Sequence, residues 1–110
     1  MDTPEERFLS AIFHAEESKP MENKLDDPEA RARFAKAMKD VLDTLADDQR
    51  TVLDLRYGLS TDERKTHEET AASIGKSVEE VKELEAGGLT SLRSPQARAL
   101  MRKALGLQDS

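Results

Sequence analysis

The chain has no cysteine and no tryptophan, and only one tyrosine and three phenylalanines among 110 residues. Without cysteine there are no disulfides, thiolate zinc sites or thiol nucleophiles, and His14 and His67 are the only imidazoles. With so few aromatics, and apolar residues at 36%, any core must be aliphatic and thin, which leaves little material for a deep catalytic cleft. Long apolar runs are missing too. The stretch Phe8-Leu9-Ser10-Ala11-Ile12-Phe13 falls far short of the roughly 20 residues that span a bilayer, and acid, not a basic segment, precedes it. No Gly-rich phosphate loop, metal triad or nucleophile-activating spacing is present. The expectation is one small cytoplasmic domain that is not an enzyme, binds no cofactor, metal or small-molecule substrate, and does not enter a membrane.

Charge is abundant. Seventeen Lys and Arg stand against 23 Asp and Glu, a net charge of −6. Apolar positions recur at helical spacing throughout, and no strand pattern appears, so the fold class is all-α with five or six helices. Phe8, Leu9, Ile12 and Phe13 form the stripe of a first helix over about Pro4 to Glu17, followed by a polar linker from Ser18 to Asp27 that contains Pro20. This divides the chain into a helix and linker over 1–27 and a helical domain over 28–110. Asp27-Pro28-Glu29 is a helix start, with Phe34, Met38, Val41, Leu42 and Leu45 as its stripe. A further short helix runs from Asp47 to a stop at Gly58.

Two capping boxes then follow each other. Thr66 with Glu69, and Ser77 with Glu80, have the spacing at which a hydroxyl bonds the third N–H and the acid reaches back. Gly75 lies between them, so two capped helices flank a short turn, which is the pattern of a helix-turn-helix. The second helix ends at Ser94-Pro95, where a last helix opens and runs to Gly106.

From Asp40 to Leu105, these residues together resemble region 4 of primary bacterial sigma factors. The most specific string is Leu55-Arg56-Tyr57-Gly58-Leu59, followed at the family's spacing by the helix-turn-helix and by Leu89-Thr90-Ser91-Leu92-Arg93-Ser94-Pro95. The resemblance implies a domain that packs on the β flap of RNA polymerase and reads a promoter element near minus 35 with its second helix. Regions 2 and 3 have no counterpart, so the expectation is a small stand-alone protein and not a complete sigma factor.

The departures from the family pattern bear on function. Val78, Glu80 and Glu83 stand at two arginine positions and the glutamine position of the family's recognition helix, and over Ser77 to Glu85 four Glu oppose the single Lys82. DNA binding draws on Lys and Arg displacing counterions and on Arg and Gln reading bases, so this helix is poorly equipped for it. Asp48, Thr51 and Asp54 likewise occupy positions where the family places basic contacts. Gly87-Gly88 is either a hinge or a close helix contact, because each glycine costs a helix about 1 kcal/mol relative to alanine.

Two readings remain. In the favoured one the chain is a transcription module acting through protein contacts, with RNA polymerase at the β flap or a sigma-binding regulator as partner. Its candidate contacts are Glu79, Glu80 and Glu83, with Phe8, Ile12 and Phe13 if the first helix docks in a partner's groove instead of packing on the chain itself. In the other it reads promoter DNA through Lys76, Ser77 and Lys82, with Arg56 and Arg93 and the basic residues Arg98, Arg102 and Lys103. A third feature is the acid-free segment Ala30 to Lys39 with its four positive charges, either a solvated face or a docking patch for an acidic partner.

Overall fold

Helix starts are where this sequence is most explicit, and the chain obeys them. The computed structural model describes residues 3–61 and 63–107. Among these, seven helices form and no strand: α1 (Pro4–Ile12), α2 (Ala15–Lys24), α3 (Pro28–Leu42), α4 (Asp47–Tyr57), α5 (His67–Ile74), α6 (Val78–Leu92) and α7 (Pro95–Ala104). The Asp27 carboxylate accepts from Glu29 N at 3.2 Å, and Ser94 Oγ accepts from Ala97 N at 3.2 Å, each just ahead of a proline at the first helical position. Both capping boxes are closed. Thr66 Oγ1 accepts from Glu69 N at 3.1 Å while the Glu69 carboxylate accepts from Thr66 N at 2.9 Å, and Ser77 with Glu80 repeats the pattern at 3.1 and 3.2 Å. Gly58, at φ 62°, ends α4 in the left-handed region; a side chain there would meet the backbone of Glu63 within 3 Å.

The N-terminal quarter differs from the helix and linker read in the sequence. The chain turns at Phe13 and His14, both extended, and restarts as α2, so the supposed linker is helical through Lys24 with Pro20 inside it. Proline inside a helix removes a hydrogen bond and costs about 3 kcal/mol. Burial offsets this, since Met21 and Leu25 are 1% and 2% exposed and each buried side chain of this size contributes roughly 1.5–3 kcal/mol. Local polarity concealed those two anchors.

One core joins both sides of the Asp27–Pro28 boundary. Phe8, Leu9, Phe34, Leu53, Leu92 and Met101 belong to it, with Phe8 edge-on to Phe34 at 6.2 Å between ring centres. A second, smaller cluster of Val52, Ala71 and Val81 fixes the helix-turn-helix to α4.

Arginines fasten the helix ends. A helix C-terminus presents unpaired carbonyls and the negative end of its macrodipole, which a guanidinium suits on both counts. Buried Arg7 of α1 donates from Nε and Nη2 to the carbonyls of Tyr57 and Gly58 at the end of α4, at 2.6 and 2.7 Å. Arg93 donates to the Ala11 carbonyl near the end of α1 at 2.8 Å, and Arg33 to the Ala104 carbonyl at the end of α7 at 2.9 Å. From α7, Arg98 and Arg102 both bond Glu17 of α2, at 2.9 and 2.8 Å, and lie over the Phe13 ring.

Candidate protein and nucleic-acid interface

The helix-turn-helix consists of α5, a turn through Gly75 and Lys76 to the Ser77 cap, and α6. Helical spacing sorts α6 into two faces. Val81, Gly88, Leu89 and Leu92 point inward, while Glu79, Lys82, Glu83, Ala86 and Thr90 are exposed along the outer face. The charge of that outer face is therefore set by two glutamates and one lysine, with Glu80 beside them at the helix start. The Glu80 carboxylate is exposed but held to the Ser77 N–H, and this backbone bond, with the Ser77 hydroxyl next, lowers its pKa below the ordinary carboxylate value. It stays ionised at neutral pH.

The inner side of α6 carries one of the four glutamates that the sequence reading counted together as the acidity of this helix. Glu85 lies one turn from both Val81 and Leu89, and its side chain is only 15% exposed. Its Oε1 accepts from Arg56 Nε at 2.7 Å and lies 3.2 Å from His67 Nε2; its Oε2 accepts from the Tyr57 hydroxyl at 3.3 Å. One carboxylate thus ties α4, α5 and α6 together. The Tyr57 hydroxyl is raised above its usual pKa, first by desolvation and then by the neighbouring Glu85 charge. The signal for Glu85 was its position on the apolar stripe of α6, where an acid needs a partner.

The two glycines of α6 also acquire a reason. A Cβ on Gly88 would lie 2.9 Å from Leu53 Cδ1, and one on Gly87 would lie 2.9 Å from Gln49 Nε2. The pair is a close contact between α6 and α4, not a hinge.

Several residues named from the sequence are occupied elsewhere. Arg56, half-buried, bonds Glu85 and the Lys65 carbonyl, and Arg93, which is exposed, bonds the Ala11 carbonyl, so both guanidiniums also serve the fold. Asp54 accepts from the backbone and hydroxyl of Ser60 and so holds the chain beyond Gly58. Phe8, Ile12 and Phe13 are 3%, 6% and 4% exposed. The N-terminal stripe packs on the chain itself, in the core it shares with Phe34, Leu92 and Met101. Lys76 is half-buried beside the turn, Ser77 caps α6 and Lys82 is exposed. His67, the first residue of α5, is drawn to Glu85 instead of standing free on the surface. Among the described residues no group of His, Asp and Glu could hold a metal ion, and no helix is long and apolar enough to cross a membrane.

Comparison with known proteins meets this geometry at the same elements. The family described as Sigma-70, region 4 matches residues 41–94. Over 58 residues the chain is 41% identical to the RNA polymerase sigma factor SigA of Listeria monocytogenes, and equally to that of Listeria innocua. These matches cover 53% of this chain and 16% of each sigma factor, so the chain spans about a sixth of the length of those relatives. No solved structure matches it. From the end of α3 to the cap of α7, just under half of the chain matches sigma-70 region 4, and in this protein that stretch is packed on two further N-terminal helices.

Proposed function

We propose that this chain is a sigma region 4-like transcription module that modulates initiation mainly through protein contacts, with promoter reading weakened by its acidic second helix. RNA polymerase at the β flap, or a regulator that grips sigma, is the partner class. The observation that carries this reading is the outer face of α6: Glu79 and Glu83 flank Lys82, while Arg56 is engaged by Glu85 within the fold. A face of that charge repels phosphates and suits a basic protein surface. The region 4 match supports the transcriptional setting, and no catalytic role is assigned to any residue.

The test sets DNA against protein. Fluorescence anisotropy of the full chain with a labelled minus-35 duplex and a scrambled duplex is expected to give no sequence-specific binding at physiological salt. Capture of RNA polymerase is expected to persist with Lys82→Ala and to weaken with Glu79→Lys and Glu83→Lys. Specific duplex binding that is lost in Lys82→Ala and falls steeply with salt would overturn the proposal in favour of a promoter-reading regulator. Capture that survives deletion of the flap would move the partner site elsewhere on the polymerase.

A further inference from the structure

The largest exposed apolar side chain among the described residues is Leu100 of α7, at 41% exposure. It forms a ridge between two hollows that α3 and α7 line together. One, of about 320 Å³, is bounded by Arg33, Lys36, Asp40 and Lys103 over a floor of Ala37 and Ala104. The other, of about 220 Å³, is bounded by Val41, Thr44, Gln96, Ala97, Ser91 near the end of α6 and Ser94 at the cap of α7. On α3, Arg33, Lys36, Ala37, Asp40 and Val41 follow one another at helical spacing, with Thr44 just past its end, and both hollows share Leu100, so the hollows are one groove. Along α3 it runs from Arg33 to Val41, about 12 Å at 1.5 Å per residue.

Its charge runs against that of the molecule. Three cations and one carboxylate line the first hollow in a chain of net charge −6. Arg33 is fixed at the rim by its bond to the Ala104 carbonyl, and Lys36 and Lys103 are exposed. The floor is aliphatic and holds no aromatic ring on which a base could stack, which argues against single-stranded nucleic acid. A second copy of this chain is a poor occupant through its acidic α6, because the outer face of that helix has no large apolar side chain to set beside Leu100.

We propose that the groove between α3 and α7 is a docking site for an acidic amphipathic helix of a partner protein, with Leu100 meeting its apolar stripe and Lys36, Lys103 and Arg33 meeting its carboxylates. This is the helix-in-groove mode, with basic residues on the rim. The groove touches α6 only at Ser91, near the end of that helix, and none of Glu79, Lys82 and Glu83 lines it.

The probe is a synthetic helix of about 14 residues, with leucines at helical spacing and glutamates elsewhere, beside a counterpart carrying lysine for glutamate. Both are titrated into full-length protein with methyl-labelled leucine and followed by NMR. The expected result is a shift of the Leu100 methyls with the glutamate helix and not with the lysine helix. Affinity should fall about tenfold in Lys36→Glu with Lys103→Glu, fall again in Leu100→Ser, and weaken with salt. These side chains are exposed, so the variants should keep the helical circular dichroism of the parent. Equal binding of both helices, no shift at Leu100, or Leu100 shifts caused by duplex DNA or by rising concentration of the protein alone would overturn the proposal.

Discussion

At Gly88 the backbone of α6 comes so close to α4 that a single methyl group decides the outcome. Leu53, the neighbour at 2.9 Å, is 1% exposed and cannot swing away. Gly88→Ala therefore trades a helix-propensity gain of about 1 kcal/mol against overpacking of about 1–3 kcal/mol, and a net loss of about 1 kcal/mol is expected. Gly87→Ala meets only the amide end of Gln49, a half-buried side chain able to move, so its stability should be unchanged or rise by about 0.5 kcal/mol. Urea unfolding of the two variants side by side checks the sign of each. Thr70 offers a second test at this scale. Its side chain is fully buried against the helix-turn-helix core, and its hydroxyl has no partner among the described residues. Replacing that hydroxyl by a methyl of the same shape removes a desolvated polar atom, so Thr70→Val should raise stability by about 1 kcal/mol in the same measurement.

Single elements are governed by their termini, and here the acid at the third position of α5 and of α6 is the controlling group. The pKa of Glu69 is lowered first by the Thr66 N–H and then by the Thr66 hydroxyl, as that of Glu80 is by Ser77. A carboxylate with a lower pKa in the folded state contributes stability above its unfolded value, near about 4.3, and loses it as pH falls through the folded value. Glu17 acts in the same direction. Desolvation tends to raise its pKa, and the bonds and charges of Arg102 and Arg98 together outweigh it. Melting temperatures should therefore hold from neutral pH down to about 5 and then fall below about 4. In Glu69→Gln with Glu80→Gln the caps survive, because an amide oxygen still accepts, but the acid-side fall should be shallower. An unchanged slope would remove the boxes from the acid response. These termini were also the most legible part of the fold, since a cap is a local bargain between residues three apart. The start at Asp27, both capping boxes, the stop at Gly58 and the exit at Ser94-Pro95 all stand where the sequence placed them. Helix α2 was illegible for the opposite reason: its two anchors, Met21 and Leu25, gain only from tertiary burial. The acidity of α6 could be read directly, whereas the capture of Arg56 by Glu85 and of Ala11 by Arg93, across 29 and 82 residues, leaves no trace in local pattern.

For the whole molecule, the question is whether the region 4 segment is a folding unit to which α1 and α2 are merely added. The packing argues that the two N-terminal helices complete it. Phe8, Leu9, Ile12, Phe13, Met21 and Leu25 are all buried in the same core as Phe34, Leu92, Met101 and Leu105. At roughly 1.5–3 kcal/mol for each buried side chain, with the upper end an overestimate because unfolded chains also bury surface, these six contribute on the order of 10 kcal/mol. That is comparable with the entire stability of a typical domain, about 5–15 kcal/mol. Deleting α1 and α2 also strips the carbonyls of Tyr57 and Gly58 of Arg7, and Arg98 and Arg102 of Glu17. A chain beginning at Pro28 is accordingly expected to lose its cooperative thermal transition by calorimetry and to bind a hydrophobic dye, although its capped helices retain part of their circular dichroism. Arg7→Ala in the full chain is the graded counterpart. It removes a buried guanidinium from two carbonyls, at about 1.5–3 kcal/mol for bonds to a charged group, and should lower the melting temperature while leaving the transition sharp. A cooperative melt in the truncated chain, close to that of the parent, would mean that the segment from α3 to α7 closes its own core and that the N-terminal helices only cover it.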